Sequence, residues 1–410
     1  MTTTDVRVLH ADQWELFFDR LERGFGGPPD PVEERALWRR IVDFDRMVAA
    51  WDGEELVGTA GAFAFRMTLP GGAVADVPGV TMVSVQPTHR RRGVLTAMMR
   101  HQLDDFRDRG EPFAVLTASE PGIYGRFGYG IASRQMRGTL DTTRISFHAP
   151  EGTDRVRFRL VPPAEAVEVC EAIYAQRVPQ RPGMLARQPG WEQEPVLDPP
   201  SARDGAGELL CVLAELDGEV RGYARYATQP GWSHRGPDGT VRLRDLEALD
   251  PVTYAALWRY LSGVDLMSRI TFWNRPMDDA LLQLVSDIRR CDLGFRDGLH
   301  LRLVDLPAAL AARTYAAPVD VVLEVEDAFC PWNSGRWRLT GDPKGADCAR
   351  TTDAAELSLS VKELGAAYLG GPSLRSMAGA GLVRELRPGA LAAASAAFRS
   401  DAEPWLPHRF

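Results

Sequence analysis

The sequence predicts a mixed α/β and α+β chain in three parts: two α/β units in tandem and a smaller α+β unit. Three observations carry this reading. A strand runs into a basic turn and then a helix at 83–100, around Arg90-Arg91-Arg92-Gly93. A hairpin pattern centred on Asp-Gly occurs twice, at Asp52-Gly53 and at Asp217-Gly218, each between apolar strands. Past residue 300 the pattern changes to short alternating strands and alanine-rich helices. The boundaries follow as 1–150, 151–300 and 301–410. A length of 410 residues is too great for one ordinary core.

In the first unit, 6–9 reads as a short strand. A helix over 12–23 carries Trp14, Phe17, Phe18 and Leu21 on one side, and a Gly/Pro loop fills 24–30. A second helix over 31–41 carries Trp38. The hairpin joins 47–51 to 56–65. The next strand ends at Val85, because Pro87 has no N–H for a ladder. Val94, Leu95, Met98, Met99, Gln102 and Leu103 then recur at helical spacing. The apolar run 113–118 suits a central strand. In the second unit, strands at 210–216 and 220–226 repeat the hairpin and 241–249 stands where the motif strand stood. Pro251 falls near the place of Pro87, a helix follows over 254–261, and 270–273 is the last strand. This copy lacks Arg-Arg-Arg-Gly, so its phosphate site is lost; the alternative is an unrelated α/β unit with a chance hairpin. The third unit opens with 301–303 and a helix over 307–312. Strands at 321–325 and 336–339 flank the loop 328–333. An alternating run at 357–360 and helices at 364–369 and 388–398 complete it.

The basic turn has a definite chemistry. Gly93 lets backbone approach a ligand closely. The first N–H groups of the following helix lack intrahelical partners, and the helix dipole favours an anion there. Arginines add forked donors for phosphate. The stretch suits a pyrophosphate; the bland alternative is a solvated basic helix start. It is neither the Gly-Lys-Ser/Thr loop nor Gly-x-Gly-x-x-Gly. A net charge of -8 argues against nucleic acid as a general partner. No apolar run approaches a membrane span, and the start at 1–7 has no apolar core of a signal peptide. Five scattered cysteines without Cys-x-x-Cys argue against a disulfide framework or a metal site, and suit reduced thiols in a cytoplasm.

The order strand, Arg-Arg-Arg-Gly, helix resembles the acetyl-CoA pyrophosphate motif of the GNAT N-acetyltransferases. That family's turn ends in a small residue; here it reads Arg90-x-x-Gly93-x-Leu95. In this fold two parallel strands splay, and the thioester lies in the gap beside residues that leave the strand. Ser119-Glu120 and Ile123-Tyr124-Gly125-Arg126-Phe127-Gly128-Tyr129-Gly130 lie there. Tyr124 comes first and is the candidate general acid, since a phenol keeps its proton at neutral pH; the alternative is a packed aromatic in a glycine-rich turn. Tyr129 reads as structural.

Together with Thr88-His89, Asp297-Gly298-Leu299, Tyr368-Leu369-Gly370 and a terminal Phe410, these motifs resemble the Eis (enhanced intracellular survival) family over the whole length. The resemblance implies an active amino-terminal acetyltransferase domain, a degenerate second one and a sterol-carrier-protein-like third. It implies a homo-hexamer and acetyl-CoA-dependent acetylation of small-molecule amines such as aminoglycosides, and of some lysines. It makes the carboxylate of Phe410 the general base, delivered by an apolar tail through Trp405-Leu406-Pro407; a frayed terminus is the alternative. It places acetyl-CoA contacts on Val83, Val85, Arg90, Arg91, Gly93, Leu95 and Ser119, and acceptor contacts on Trp14, Phe25, Trp38 and Glu120. Two departures bear on substrate range: no acid directly follows Phe25, and Thr117 stands where a histidine occurs in relatives. The competing function is a lipid-binding protein built on the third unit.

Overall fold

The structure is a computed structural model describing residues 4–234 and 236–410; the 1–3 part of the start, read above as no signal peptide, lies outside the described residues. The first unit forms β1 (Asp5–Val8), α1 (Trp14–Phe25), α2 (Val32–Ile41), β2 (Val48–Asp52), β3 (Glu55–Thr68), β4 (Val74–Val85), α3 (Val94–Asp108) and β5 (Phe113–Thr117). The five strands lie in the order β1-β2-β3-β4-β5. The first hairpin turns one residue later than Asp-Gly implies: Asp52 still pairs with Glu55, and Gly53 takes φ +63 in the loop. At the second, Asp217 and Gly218 are the loop and both have positive φ.

The feature that positions the site is where β4 and β5 part. They are the parallel pair of this sheet, bonded only at Gly79↔Val115 and Val80↔Leu116, although β4 continues to Val85. Met82 takes φ +53, an uncommon conformation for a side-chain-bearing residue, and the β3–β4 register slips between Thr59 and Gly61. The distortion carries the end of β4 away from β5 and opens a gap.

The first two units exchange strands. Arg134–Asp141, from the range 1–150, pairs with Met267–Arg275 and Gly294–Asp297 in the second sheet. Leu299–Leu303 pairs with β5 in the first sheet, so 301–303 belongs there and not to the third unit's sheet. Two-residue alternation tells which face of a strand is buried, not which sheet it joins. Pro251 also differs from Pro87 in role. It opens the helix Pro251–Ser262, where its missing N–H is not needed, behind the cap Asp250.

The third unit has a sheet of Gly345–Arg350, Gly335–Asp342, Val319–Glu326, Leu357–Ser360 and Val383–Glu385, in that order. Helices Leu306–Ala311, Val361–Ala367, Leu374–Gly379 and Ala390–Phe398 pack on it. The last of these buries Ala390, Ala394, Ala397 and Phe398, as its alanines require. The core is continuous with that of the first unit: Phe113 and Leu303 pack in one cluster with Leu364 and Tyr368. The five cysteines are buried and unbridged, Cys170 and Cys211 with sulfurs 3.9 Å apart. Among the described residues no helix is long and apolar enough to cross a membrane.

Candidate active site

The basic turn folds as the residues demand. After Val85 the buried Gln86 donates from Nε2 to the Arg20 carbonyl (2.7 Å), and Pro87–His89 makes one tight turn. His89 is braced between Asp52 (3.2 Å) and Thr88 (2.8 Å). Arg91 has φ +63 and Gly93 φ +89. Left-handed residues in a turn gather N–H groups into an anion-binding hollow, and Gly93 hands the chain to α3 at that point. A Cβ on Gly93 would meet no atom within 4 Å, so φ, not crowding, selects glycine, and the space over the helix start is open. Arg91 is exposed there. Arg90 instead donates to the carbonyls of Gly24 (3.0 Å) and Val85 (3.4 Å), tying the end of α1 to the turn. Val83, Val85 and Leu95 are half-buried beside it.

The second unit shows how such a site is lost. Asp250 accepts from Thr253 N (2.8 Å), Thr253 Oγ1 (2.9 Å) and Arg221 Nε (3.2 Å). Burial works to raise its carboxyl, but the bonds from Thr253 and Arg221 outweigh that and hold it below the usual range. The chain's own carboxylate thus takes the place of an external anion at this helix start. The buried Arg275 donates to the Leu246 carbonyl (2.8 Å) and pairs with Asp279 (2.7 Å), so it bridges the parallel strands Gly239–Ala248 and Met267–Arg275 beyond their last paired residues.

Across the gap from the basic turn, β5 is followed by Ser119 and Glu120, both exposed, and by a single turn, Tyr124–Phe127. Tyr124 is half-buried, with its ring edge-to-face on Tyr129 at 6.1 Å. Burial, and secondarily the Glu120 charge, pushes its phenol up to about 12. It therefore holds its proton throughout the neutral range. Tyr129 is fully buried, as its structural reading requires.

Beside the gap lies a cavity of about 420 Å³ between the α1–α2 loop and β3–β4. Its walls are aromatic at Phe25, Trp38 and Phe63 and acidic at Glu22, Asp30 and Glu34; Arg409 and the terminal Phe410 close it. Burial, then Glu34 and Glu22, raises the Asp30 carboxyl against the opposing Arg409 and Arg35. The Phe410 ring packs on Phe65 at 5.1 Å, and a Cβ on Gly79 would lie 2.9 Å from its edge. The terminus therefore sits over the place where β4 and β5 begin to part. The tail is anchored, not frayed. Trp405 N donates to the Pro182 carbonyl (3.0 Å), its indole to Asn274 (2.8 Å), and Asn274 donates to the Leu406 carbonyl (3.0 Å). His408 is buried among Phe65, Tyr174 and Trp191. Burial, then Arg187, drives it down to about 3, so it is neutral. Arg409 pairs with Glu34 (2.8 Å) and Glu194 (3.0 Å).

Phe25, Trp38 and Phe410 are thus brought together in one cavity. Trp14 is not: it is 0% exposed and packs on Phe17, Phe18 and Phe44. Its position on the inward face of α1 could be read as core or as pocket, and packing decides for core. Glu120 stands off this cavity, by Tyr124, and Ser119 lines a separate one of about 450 Å³ with Thr117 and Asp297. Sequence reading missed Glu22, Asp30, Glu34 and Arg409. The acid absent after Phe25 is supplied by Asp30 from the same loop, whose N–H donates to Glu22 (2.9 Å). Acids on helix ends usually face solvent, so only the fold of the 24–30 loop turns these inward.

A splayed parallel pair, an anion hollow at a helix start and a protonated tyrosine beyond the next strand define a GNAT N-acetyltransferase. Comparison agrees: the acetyltransferase (GNAT) domain families match residues 5–132 and 183–303, and the sterol carrier protein domain family matches 306–407. An uncharacterized N-acetyltransferase of Streptomyces avermitilis is 62% identical over 408 residues, spanning 100% of both chains. N-acetyltransferase Eis of Mycobacterium tuberculosis H37Ra is 37% identical over 380 residues, 90% of each chain. The crystal structure of Eis1 from Mycobacterium abscessus superposes with a TM-score of 0.85 at 34% identity, covering 100% of both chains. The chain belongs to the Eis family of N-acetyltransferases.

Proposed function

We propose that this chain acetylates amines that carry further cationic groups, taking acetyl from acetyl-CoA and using Tyr124 and the Phe410 carboxylate as acid and base. The observation that carries the reading is the cavity closed by the chain's own terminus, aromatic and rich in acid, against the β4–β5 gap. Three side-chain carboxylates line it with one arginine, Arg409, and Arg35 reaches Glu22 from outside the lining (3.7 Å). Such a lining attracts polyamines and aminoglycoside-like molecules, and the aromatic rings add cation–π contacts. Arg91, Gly93 and the start of α3 would hold the pyrophosphate, with Arg90 shaping the turn, and Val83, Val85, Leu95 and Ser119 would flank the thioester arm. The amine nitrogen attacks the acetyl carbon and the carbon–sulfur bond breaks. The ammonium proton passes to the Phe410 carboxylate, and the Tyr124 hydroxyl gives its proton to the departing thiolate. Thiol release from acetyl-CoA against polyamines, aminoglycosides and lysine peptides tests this; activity confined to uncharged amines would overturn the acceptor class.

Replacing Arg91 with alanine should raise the acetyl-CoA KM by roughly 10- to 10²-fold, since a charge-assisted hydrogen bond contributes ~1.5–3 kcal/mol. Arg90→Ala should raise the acceptor KM as well, because it frees the Gly24 carbonyl and with it the 24–30 loop. Unchanged constants in steady-state kinetics would remove this placement.

The lipid-carrier alternative is disfavoured by the third unit's interior. Arg313 is 1% exposed and donates to the carbonyls of Tyr368, Phe398 (3.0 Å) and Thr314 (3.0 Å), with Tyr315 and Phe398 packed on it. The proposal includes a cytoplasmic homo-hexamer, which accords with the exposure of Trp232 (72%), Phe295 (65%) and Trp273 (53%). Light scattering should return six times the 45.2 kDa chain mass; a monomer would exclude the assembly.

A further inference from the structure

The turn that carries Tyr124 does not stand alone. The residue that caps it, Gly128, has φ +87, and its N–H closes the turn on the carbonyls of Gly125 and Tyr124. A Cβ at Gly128 would lie 2.7 to 2.9 Å from Nη1, Cζ and Nε of Arg302. The guanidinium therefore lies flat against the turn's backbone, and glycine is required for closeness as well as for φ. Arg302 projects from Leu299–Leu303, the strand that enters the first sheet beside β5. It is 0% exposed; its Nε and Nη1 make no hydrogen bond of good geometry among the described residues, and its charge faces the Cys330 thiol and the Tyr129 hydroxyl. Its remaining nitrogen, Nη2, donates to Asp327 at 2.6 Å.

Asp327 belongs to the third unit and is itself fixed. One oxygen accepts from Cys330 N (2.9 Å), and the other from Asn333 Nδ2 (3.0 Å) as well as from Arg302. The same loop places Phe329 edge-to-face on Phe127 at 5.0 Å, inside the Tyr124 turn. On the other side, Lys362 of the helix Val361–Ala367 lies 3.4 Å from where a Gly125 Cβ would be, and Gly130 abuts that helix's backbone. The turn is held from behind by a charge pair and an aromatic, and from below by a helix.

An arginine with two buried nitrogens that lack a well-aligned acceptor is a poor way to stabilise a fold; apolar residues of like volume would do as well. The arrangement is explained by what the plane of the guanidinium supports. We propose that Arg302 and Asp327 are positioning residues through which the third unit holds the Tyr124 turn at the β4–β5 gap. That unit then serves both ends of the proton path, presenting the Phe410 carboxylate from its tail and fixing the acid from its 327–333 loop. This rests on the reading of Tyr124 as the general acid.

The experiment is a kinetic cycle in the full-length protein. Asp327→Asn should lower kcat by roughly 10²-fold, the scale of an ångström's misplacement of a catalytic group, with the acetyl-CoA KM unchanged. Arg302→Lys keeps the charge but not the planar fork and should lose kcat in the same way. On a Tyr124→Phe background Asp327→Asn should cost nothing further. Wild-type kcat in folded Asp327→Asn overturns the inference, as does a full second loss on the Phe background. Wild-type kcat in Tyr124→Phe alone overturns the acid assignment instead, so the two failures are told apart. If Asp327→Asn does not fold, Arg302→Met with Asp327→Leu removes both charges and leaves neither unpaired. That variant should bind acetyl-CoA by calorimetry with low kcat, and full kcat in it overturns the proposal.

Discussion

Tyr124→Phe should lower kcat by ~10²–10⁴-fold, the usual effect of removing a general acid, with acetyl-CoA binding unchanged. The change deletes one hydroxyl and keeps the ring that packs on Tyr129, so thermal stability should barely move. The group's ionisation sets a second test. A general acid is active while protonated, and its contribution is lost as pH rises through its pKa. Burial and Glu120 push Tyr124 up to about 12, so it should impose no alkaline limb on kcat up to the ordinary tyrosine range of about 10. Glu120→Gln removes the second of those causes and should leave the phenol protonated at neutral pH, with kcat within a few-fold of wild type. A kcat unchanged in Tyr124→Phe would assign the thiolate's proton to another donor.

Extending the chain beyond Phe410 should abolish turnover without unfolding the protein. A peptide bond after Phe410 replaces its carboxylate with a neutral amide. The tail's anchors, from Trp405 to Arg409, precede the extension and remain. Stability should therefore be kept while kcat falls by an amount on the order of that for Tyr124→Phe. Combining the two changes should cost far less than their product, because groups that serve one transition state act as a unit. An uncleaved carboxyl-terminal tag against the cleaved protein makes the comparison. Full activity in the tagged form would exclude Phe410 as base, and the cavity acids Glu22, Asp30 and Glu34 would be examined next.

What was legible in the sequence is what is local. Arg90-Arg91-Arg92-Gly93 between an alternating strand and a helical repeat reads as a turn suited to an anion, because its donors, its φ requirement and the helix start lie within a few residues. Both hairpins were legible for the same reason, to within one residue at Asp52-Gly53. The missing basic turn at 250 already marked the second unit as degenerate, although the substitute, Asp250 capping its own helix, needed the fold to be seen. The tertiary structure decided what depends on distant segments meeting. Which sheet takes Arg134–Asp141 and which takes Leu299–Leu303 is invisible to a two-residue period, since the alternation is the same in either. Trp14 and Trp38 have the same helical credentials, yet one is sealed against Phe17 and Phe44 and the other faces the cavity. The acids of that cavity come from α1, its loop and α2, its cation from residue 409 and one of its rings from the last residue, brought together by a tail docked on several other segments. Close packing of the third unit against the first joins these pieces, and such packing is a property of pairs of surfaces, which no single stretch of sequence contains.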